Sequence, residues 1–394
     1  MDLSTNKQPN FDNTEVAFRQ KTNAELKKAF WLFKMIGNNF LTKVGPAITN
    51  FFLNIGLPVQ GAIKVTIFQQ FCGGETISEC DHTIDQLNKG RVGTILDYSV
   101  EGEDEESIFD DTCTEIISTI LRADGDSKIP ITVFKITGIG RFALLEKLDA
   151  KQNLSQDEKA EFEKVKLRCE LICKTAFDKK VPVMIDAEET WIQNTIDELA
   201  LEMMQKFNKE RIIVYNTYQM YRKDKLADLK ADHLIAKAAG FILGVKIVRG
   251  AYMEKERKRA LENGYPSPIQ PDKETTDKDY NAALRYCVDY VEEIAIVAGT
   301  HNEDSCRLLT YLLDEKKIIH NHTHVYFSQL LGMSDNLSFN LADADYNVAK
   351  YVPYGPIKSV MPYLFRRAQE NTSVKGQTGR ELGLIERELK RRAL

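Results

Sequence analysis

No CxxC pair, no complete GxGxxG and no apolar run long enough to span a bilayer occurs in these 394 residues. Each absence removes a class of protein. The seven cysteines stand scattered at 72, 80, 113, 169, 173, 287 and 306. An odd set without CxxC spacing argues for reduced thiols in a cytosolic-type compartment. Cys169 and Cys173 share i,i+4 helical spacing, which reads as packing rather than half of a metal site. Gly138-Ile-Gly140-Arg-Phe-Ala lacks the third glycine and follows the second strand, so a Rossmann fingerprint is not supported there. The apolar stretch at Phe51-Phe52-Leu53 is short and lies between Pro46 and Pro58, which excludes a span and leaves surface association with a membrane open. No secretory h-region opens the chain, and the early Asp2, Asp12 and Glu15 are unlike an acid-poor transit peptide. With 53 basic against 58 acidic residues and a net charge of -5, no basic excess suits a phosphate backbone, and nucleic acid is not expected as a partner. Internal repeats and low-complexity tracts are absent too.

What remains is a chain 43% hydrophobic and 28% charged, ample for a large core. From about residue 90, short apolar strands alternate with amphipathic helices. The spacing predicts strands at 92–100, 129–137, 181–186, 211–217, 244–248, 294–298, 324–327 and 348–353. Helices are expected at 105–122, 155–179, 191–208 and 224–239, while 333–347 reads as polar and irregular. Eight consecutive strand–helix units favour a closed parallel barrel over an open doubly wound sheet. Residues 1–90 break the rhythm and read as a helical arm, with Thr22 as an N-cap and Gly37, Gly45, Gly56 and Gly61 interrupting later segments. The expected division is an arm at 1–90, a barrel at 91–372 and a terminal helix at 373–394, whose basic Arg391 and Arg392 read as a solvated face.

In such a barrel the C-terminal ends of the strands line one mouth. Those ends carry Lys135, Asp186-Ala-Glu188-Glu189, Gln219, Arg249-Gly250-Ala251-Tyr252, Thr300-His301-Asn302, Gln329 and Tyr351. The segment Tyr363-Leu-Phe-Arg366-Arg367-Ala-Gln-Glu370 then stacks two guanidiniums and one carboxylate on a single helical face. Fork-shaped cations beside an anion suit a zwitterion: the arginines take its carboxylate, the glutamate its ammonium. His320, His322 and His324 alternate as if on one strand face, but at the opposite end of strand seven, and read as an exposed face rather than a metal site. Adjacent Glu188 and Glu189 project differently, so one reads as a structural anchor rather than half of a glycosidase pair. Trp31 and Trp191 read as helix packing.

VKIVRGAY (245–252), MIDAEE (184–189), GTHN (299–302), SQLLGM (328–333), YVPYG (351–355) and YLFRRAQEN (363–371) together resemble the proline dehydrogenases, over most of residues 90–372. The resemblance implies a distorted (βα)8 TIM-type barrel, with its last helix over the mouth, that binds FAD and oxidises L-proline to 1-pyrroline-5-carboxylate. It implies that Arg366 and Arg367 hold the proline carboxylate with Lys135, and that Glu370 holds the substrate amine or its arginine partner. Tyr351, Tyr363, Tyr252 and Leu331 would shape the ring pocket, and Asp186 would tune its charge. Gln219, Lys246, Arg249, Gly250, Ala251, Thr300, His301, Asn302 and Gln329 fall where the family contacts FAD; Lys273 and Thr276 fall near its adenine end. Some relatives carry Arg where Lys246 stands. Electrons would pass to a quinone, which implies transient contact with a membrane from the cytoplasmic side. At this length no aldehyde dehydrogenase is expected in the same chain, so the next oxidation would fall to a separate pyrroline-5-carboxylate dehydrogenase. Three rivals stay open: a 4-hydroxyproline dehydrogenase, a non-catalytic amino-acid-binding barrel, and a metal-dependent hydrolase on the histidine triplet. Tyr351 favours proline, because a phenol there would crowd a ring hydroxyl.

Overall fold

The computed structural model describes residues 8–36, 64–99, 105–373 and 377–392. Eight strands close into a barrel in sequence order: β1 (Gly93–Tyr98), β2 (Thr132–Phe134), β3 (Val183–Ile185), β4 (Val214–Gln219), β5 (Leu243–Val248), β6 (Ile294–Gly299), β7 (Val325–Leu330) and β8 (Val348–Tyr354). Every expected strand is present. Runs such as Ile-Ala-Ile-Val-Ala in β6 are buried throughout, as a parallel strand covered on both faces requires. The intervening helices include Glu106–Ala123, Gln156–Lys179, Thr190–Phe207 and Lys225–Ala239. Ser155 starts the longest of them with a capping box: its hydroxyl accepts from Glu158 N, while Glu158 accepts from Ser155 N.

The chain divides into two compact units, one of residues 101–328 and one of residues 1–100 with 329–394. In the first, β2 to β7 pair in parallel from neighbour to neighbour. In the second, β1 pairs with β8 from Gly93↔Ala349 to Tyr98↔Tyr354. There Thr22 caps the helix Asn23–Ile36 as expected, exchanging hydrogen bonds with Glu25. That helix packs on the final helix, Gln377–Arg391, through Leu26, Phe33, Leu384 and Ile385. The breaks expected at Gly37, Gly45, Gly56 and Gly61, and the apolar 51–53 stretch, lie outside the described residues.

Four expectations need correcting. Residues 335–343 form a helix, Asp335–Asp343. Its polar side chains face inward and are satisfied by distant backbone: Asn336 donates to Phe11 O and Asn340 to Asn13 O, each at 3.2 Å. The histidines do not line a strand, because β7 begins only at Val325. His320 is buried 2.9 Å from Asp314, His324 donates to Val291 O, and His322 lies 3.6 Å from Glu292. Three separate partners leave no shared ligand geometry, and among the described residues no cluster could hold a metal. Arg392 is not a solvated tail charge; its guanidinium binds Glu388, Phe18 O and Lys21 O. Trp31 is 59% exposed, its ring touching only Phe30 and Lys34 of its own helix among the described contacts.

Candidate active site

The ends of β3, β4 and β5 are strapped together by side chains. Lys246, buried in β5, donates to Asp186 Oδ1 at 2.5 Å just beyond β3. Gln219, the last residue of β4, donates to Glu188 O at 2.7 Å and accepts from Ala251 N at 3.2 Å. Glu188 itself is the structural anchor of its pair, taking hydrogen bonds from Thr137 N and Thr137 Oγ1. Burial pushes its carboxyl up to about 7, against the opposing pull of Lys135. Glu189 instead pairs with Lys255.

Around the next strands, Arg249 spends its fork on three partners. Its Nε donates to Asp277 at 2.6 Å, Nη1 to Thr300 Oγ1 at 2.7 Å and Nη2 to Ser305 Oγ at 3.0 Å. The guanidinium also lies 4.4 Å from the Tyr280 ring centre. Lys273 donates to the other oxygen of Asp277. Burial works against the Asp277 charge, but the two cations outweigh it and hold its carboxyl below the usual range. Asn302 caps the helix Glu303–Glu315 by accepting from Ser305 N, and Thr276 is buried with its hydroxyl on Asp272 O. His301 and Tyr252 are half-buried beside these groups in sequence. Gly250 has φ 136, and a Cβ there would lie 2.4 Å from the Tyr221 ring, so the backbone turns where only glycine fits.

The other unit carries the arginines. Past β8 the chain turns into the helix Ile357–Ser373, in which Pro362 removes one hydrogen-bond rung just before Tyr363. Tyr363 is buried among Phe71, Met333, Val360 and Leu364. Arg367, one turn on and 8% exposed, sets its guanidinium 5.1 Å from the Tyr363 ring centre. Arg366 is half-buried on the same helix. Glu370 belongs to this helix too, but its side chain lies outside the described part of the structure. Tyr351 is buried in β8, and its carbonyl accepts from Leu331 N at 2.9 Å. Gln329 accepts from Ser338 Oγ at 2.8 Å.

Two groupings therefore emerge from the expected residues. Lys135, Asp186, Gln219, Lys246, Arg249, Gly250, Ala251, Thr300 and Asn302 lie in or just past the first unit's strands, with Lys273 and Thr276 on the helix Lys273–Asp289 of the same unit, and Leu331, Tyr351, Tyr363, Arg366 and Arg367 belong to the second. Sequence reading missed Asp277, which joins Arg249 to Lys273; the i,i+4 spacing of Lys273 and Asp277 was the available signal. It also missed Lys350, whose buried position in an apolar strand was the hint.

Eight parallel strands closed in sequence order and alternating with helices make a (βα)8 barrel, a frame in which enzymes place their chemistry at the C-terminal ends of the strands. Residues 80–380 match the family model for proline dehydrogenase. The chain is 33% identical over 96% of its length to the mitochondrial proline dehydrogenase 1 of Dictyostelium discoideum, 74% of which is covered. It is 31% identical over 95% of its length to the hydroxyproline dehydrogenase of Xenopus laevis, covering 88% of that protein. Its matches to the Caenorhabditis elegans and human proline dehydrogenases span 40% of those chains. In fold it resembles proline utilization A of Bdellovibrio bacteriovorus, at TM-score 0.72 and 20% identity, over 94% of this chain and 40% of that one. The chain belongs to the proline dehydrogenase family.

Proposed function

We propose that the protein oxidises L-proline to 1-pyrroline-5-carboxylate with FAD and passes the electrons to a quinone. The carrying observation is the buried Arg367 stacked on Tyr363, beside Arg366 on a helix within the residues that match the family model. Side chains cannot accept a hydride, and bound FAD supplies that acceptor. The first unit's residues fit such a cofactor. Lys246 falls toward the flavin ring and Lys273 toward its adenine end, with Arg249 among the FAD contacts, each cation paired with a carboxylate of its own unit, and the Cβ-free turn at Gly250 permits close backbone approach. Arg366 and Arg367 hold the substrate carboxylate, Tyr351, Tyr363 and Leu331 line the ring, and Glu370 meets the amine. Lys135 and Tyr252 keep their substrate roles, and Asp186 tunes charge. The ring nitrogen must be neutral when hydride departs, since an ammonium has no lone pair with which to form the imine. Substrate deprotonation, modulated by Glu370 and Asp186, therefore governs the pH profile; a Glu370→Ala enzyme with unaltered rate and profile would remove that role.

The division into an arm (1–90), a catalytic barrel (91–372) and a terminal helix (373–394) belongs to the same reading. So do cytoplasmic placement, contact with a quinone-bearing membrane surface and a separate protein for the next oxidation. Among the described residues no helix is long and apolar enough to cross a membrane. The decisive test is the absorbance of FAD-loaded protein on adding L-proline. Bleaching at roughly 450 nm, where oxidised flavins absorb, is expected; a colourless protein that takes up no FAD would point instead to a binding barrel. The Xenopus relative favours one second reading, hydroxyproline oxidation, and a kcat/KM higher for trans-4-hydroxy-L-proline than for L-proline would select it.

A further inference from the structure

Lys350 is fully buried in β8, yet its ammonium is saturated by one short loop. It donates to Met333 O at 2.6 Å and Leu330 O at 3.3 Å, and pairs with Asp335 Oδ1 at 2.8 Å. Asp335 opens the helix Asp335–Asp343, and its second oxygen meets Lys21 at 3.0 Å. Burial works against that carboxylate, but Lys21 and Lys350 together outweigh it and hold it down to about 2. From the final helix, the buried Glu381 accepts a hydrogen bond from Ser334 N.

The loop so gripped has an unusual backbone. Ser334 sits at φ 51 and Gly332 at φ 76, and Gln70 Nε2 donates to Gly332 O at 2.8 Å. A serine in the left-handed region costs energy and persists only where its surroundings enforce it. Between Leu330 and Gly332 lies Leu331, whose N–H is bonded to Tyr351 O. Lys350 and Tyr351 are consecutive in β8 and project to opposite faces. One strand thus presents a ring-pocket tyrosine on one side and the anchor of the Leu331 loop on the other.

Building on the proposed proline oxidation, we infer that Glu381 and Lys350 are positioning residues for substrate recognition, holding the 330–334 loop so that Leu331 meets the substrate ring. Glu381 reaches this loop from the helix that follows the arginine helix, so the terminal segment takes part in recognition without touching substrate.

The test is steady-state kinetics of FAD-loaded Glu381→Ala and Glu381→Gln with L-proline and trans-4-hydroxy-L-proline. Loss of the acceptor for Ser334 N–H should raise KM for L-proline on the order of tenfold. Flavin content and kcat should stay near wild type, and discrimination against the hydroxylated ring should narrow. Glutamine keeps an acceptor oxygen and should restore most of KM. Placed in a Leu331→Ala background, Glu381→Ala should add nothing further if it acts through that side chain. An unmoved KM, or full additivity with Leu331→Ala, would overturn the inference. Should the alanine variant yield no folded holoenzyme, Glu381→Asp, one methylene too short for the same bond, is read in its place. A wild-type enzyme that L-proline does not bleach defeats the proline reading itself; a bleaching wild type with an unmoved variant KM defeats the positioning role alone.

Discussion

Lys246 Nζ stands 2.5 Å from Asp186 Oδ1, with only 7% and 14% of the two side chains exposed. A pair this far from water is held by mutual neutralisation, and removing one member leaves the other charged without its partner. Lys246→Met should therefore destabilise the FAD-loaded protein by about 3–5 kcal/mol, and Asp186→Asn somewhat less, since the amide oxygen can still accept a hydrogen bond from the Lys246 ammonium. The double variant should lose less than the sum of the two. Denaturant unfolding of all four proteins closes the cycle. Single variants that each cost under about 1 kcal/mol would mean the pair contributes no more than a surface ion pair.

Arg367 combines burial, stacking on Tyr363 and a planar fork. Lysine keeps the charge but loses both the bidentate geometry and the stacking. Arg367→Lys is expected to raise KM for L-proline by roughly tenfold or more, and Arg366→Met likewise, with flavin content unchanged. Tyr363→Leu should weaken the Arg367→Lys effect, because the stacking partner is already gone. A lysine variant with wild-type KM would show that the substrate carboxylate is held elsewhere.

The barrel was legible because its strands are nearly pure apolar runs: Ile294 to Ala298 and Val181 to Asp186 could hardly be read otherwise. The placement of the candidate residues was legible where cations share a helix, as at Arg366 and Arg367, or where polar residues end an apolar strand, as at Lys135 and Gln219. Periodicity failed where polarity is buried. Asn336, Ser338 and Asn340 make their helix look like a loop, since their partners Phe11, Gln329 and Asn13 lie far off in sequence. It failed again at His320, His322 and His324, whose alternation mimics a strand although the chain there is a turn. In both places the deciding contacts are tertiary, and no local pattern encodes them.

Glu188 offers a pH test. Its carboxyl is pushed by burial from an ordinary 4.5 to about 7 in the folded protein. Between those values the native state holds a proton that the unfolded state has lost, so its contribution favours folding at low pH and declines as pH rises from about 4.5 to 7. Above 7 the ionised group costs on the order of 3 kcal/mol at most relative to acid. Thr137 still donates to a glutamine oxygen, so Glu188→Gln should fold with this pH dependence removed. Wild-type stability minus variant stability, measured by urea unfolding from pH 4 to 8, should fall across that window and then level. A flat difference would place the carboxyl at its ordinary value.

On the proposed reading, Tyr351 discriminates between ring substituents. It is 6% exposed in β8, and its backbone is held by the bond from Leu331 N to its carbonyl and by pairing with β1 at Ile95. With Tyr351 lining the ring pocket as proposed, a hydroxyl on the substrate ring would crowd that phenol, and overpacking of one heavy atom costs about 1–3 kcal/mol. Wild type should thus prefer L-proline over trans-4-hydroxy-L-proline by roughly ten- to a hundredfold in kcat/KM. Tyr351→Ser opens the space and offers a hydroxyl to the new group, so kcat/KM should fall for L-proline and hold or rise for the hydroxylated ring. Equal losses for both substrates would mean Tyr351 closes the pocket without reading the ring, and selectivity would have to be sought at Leu331.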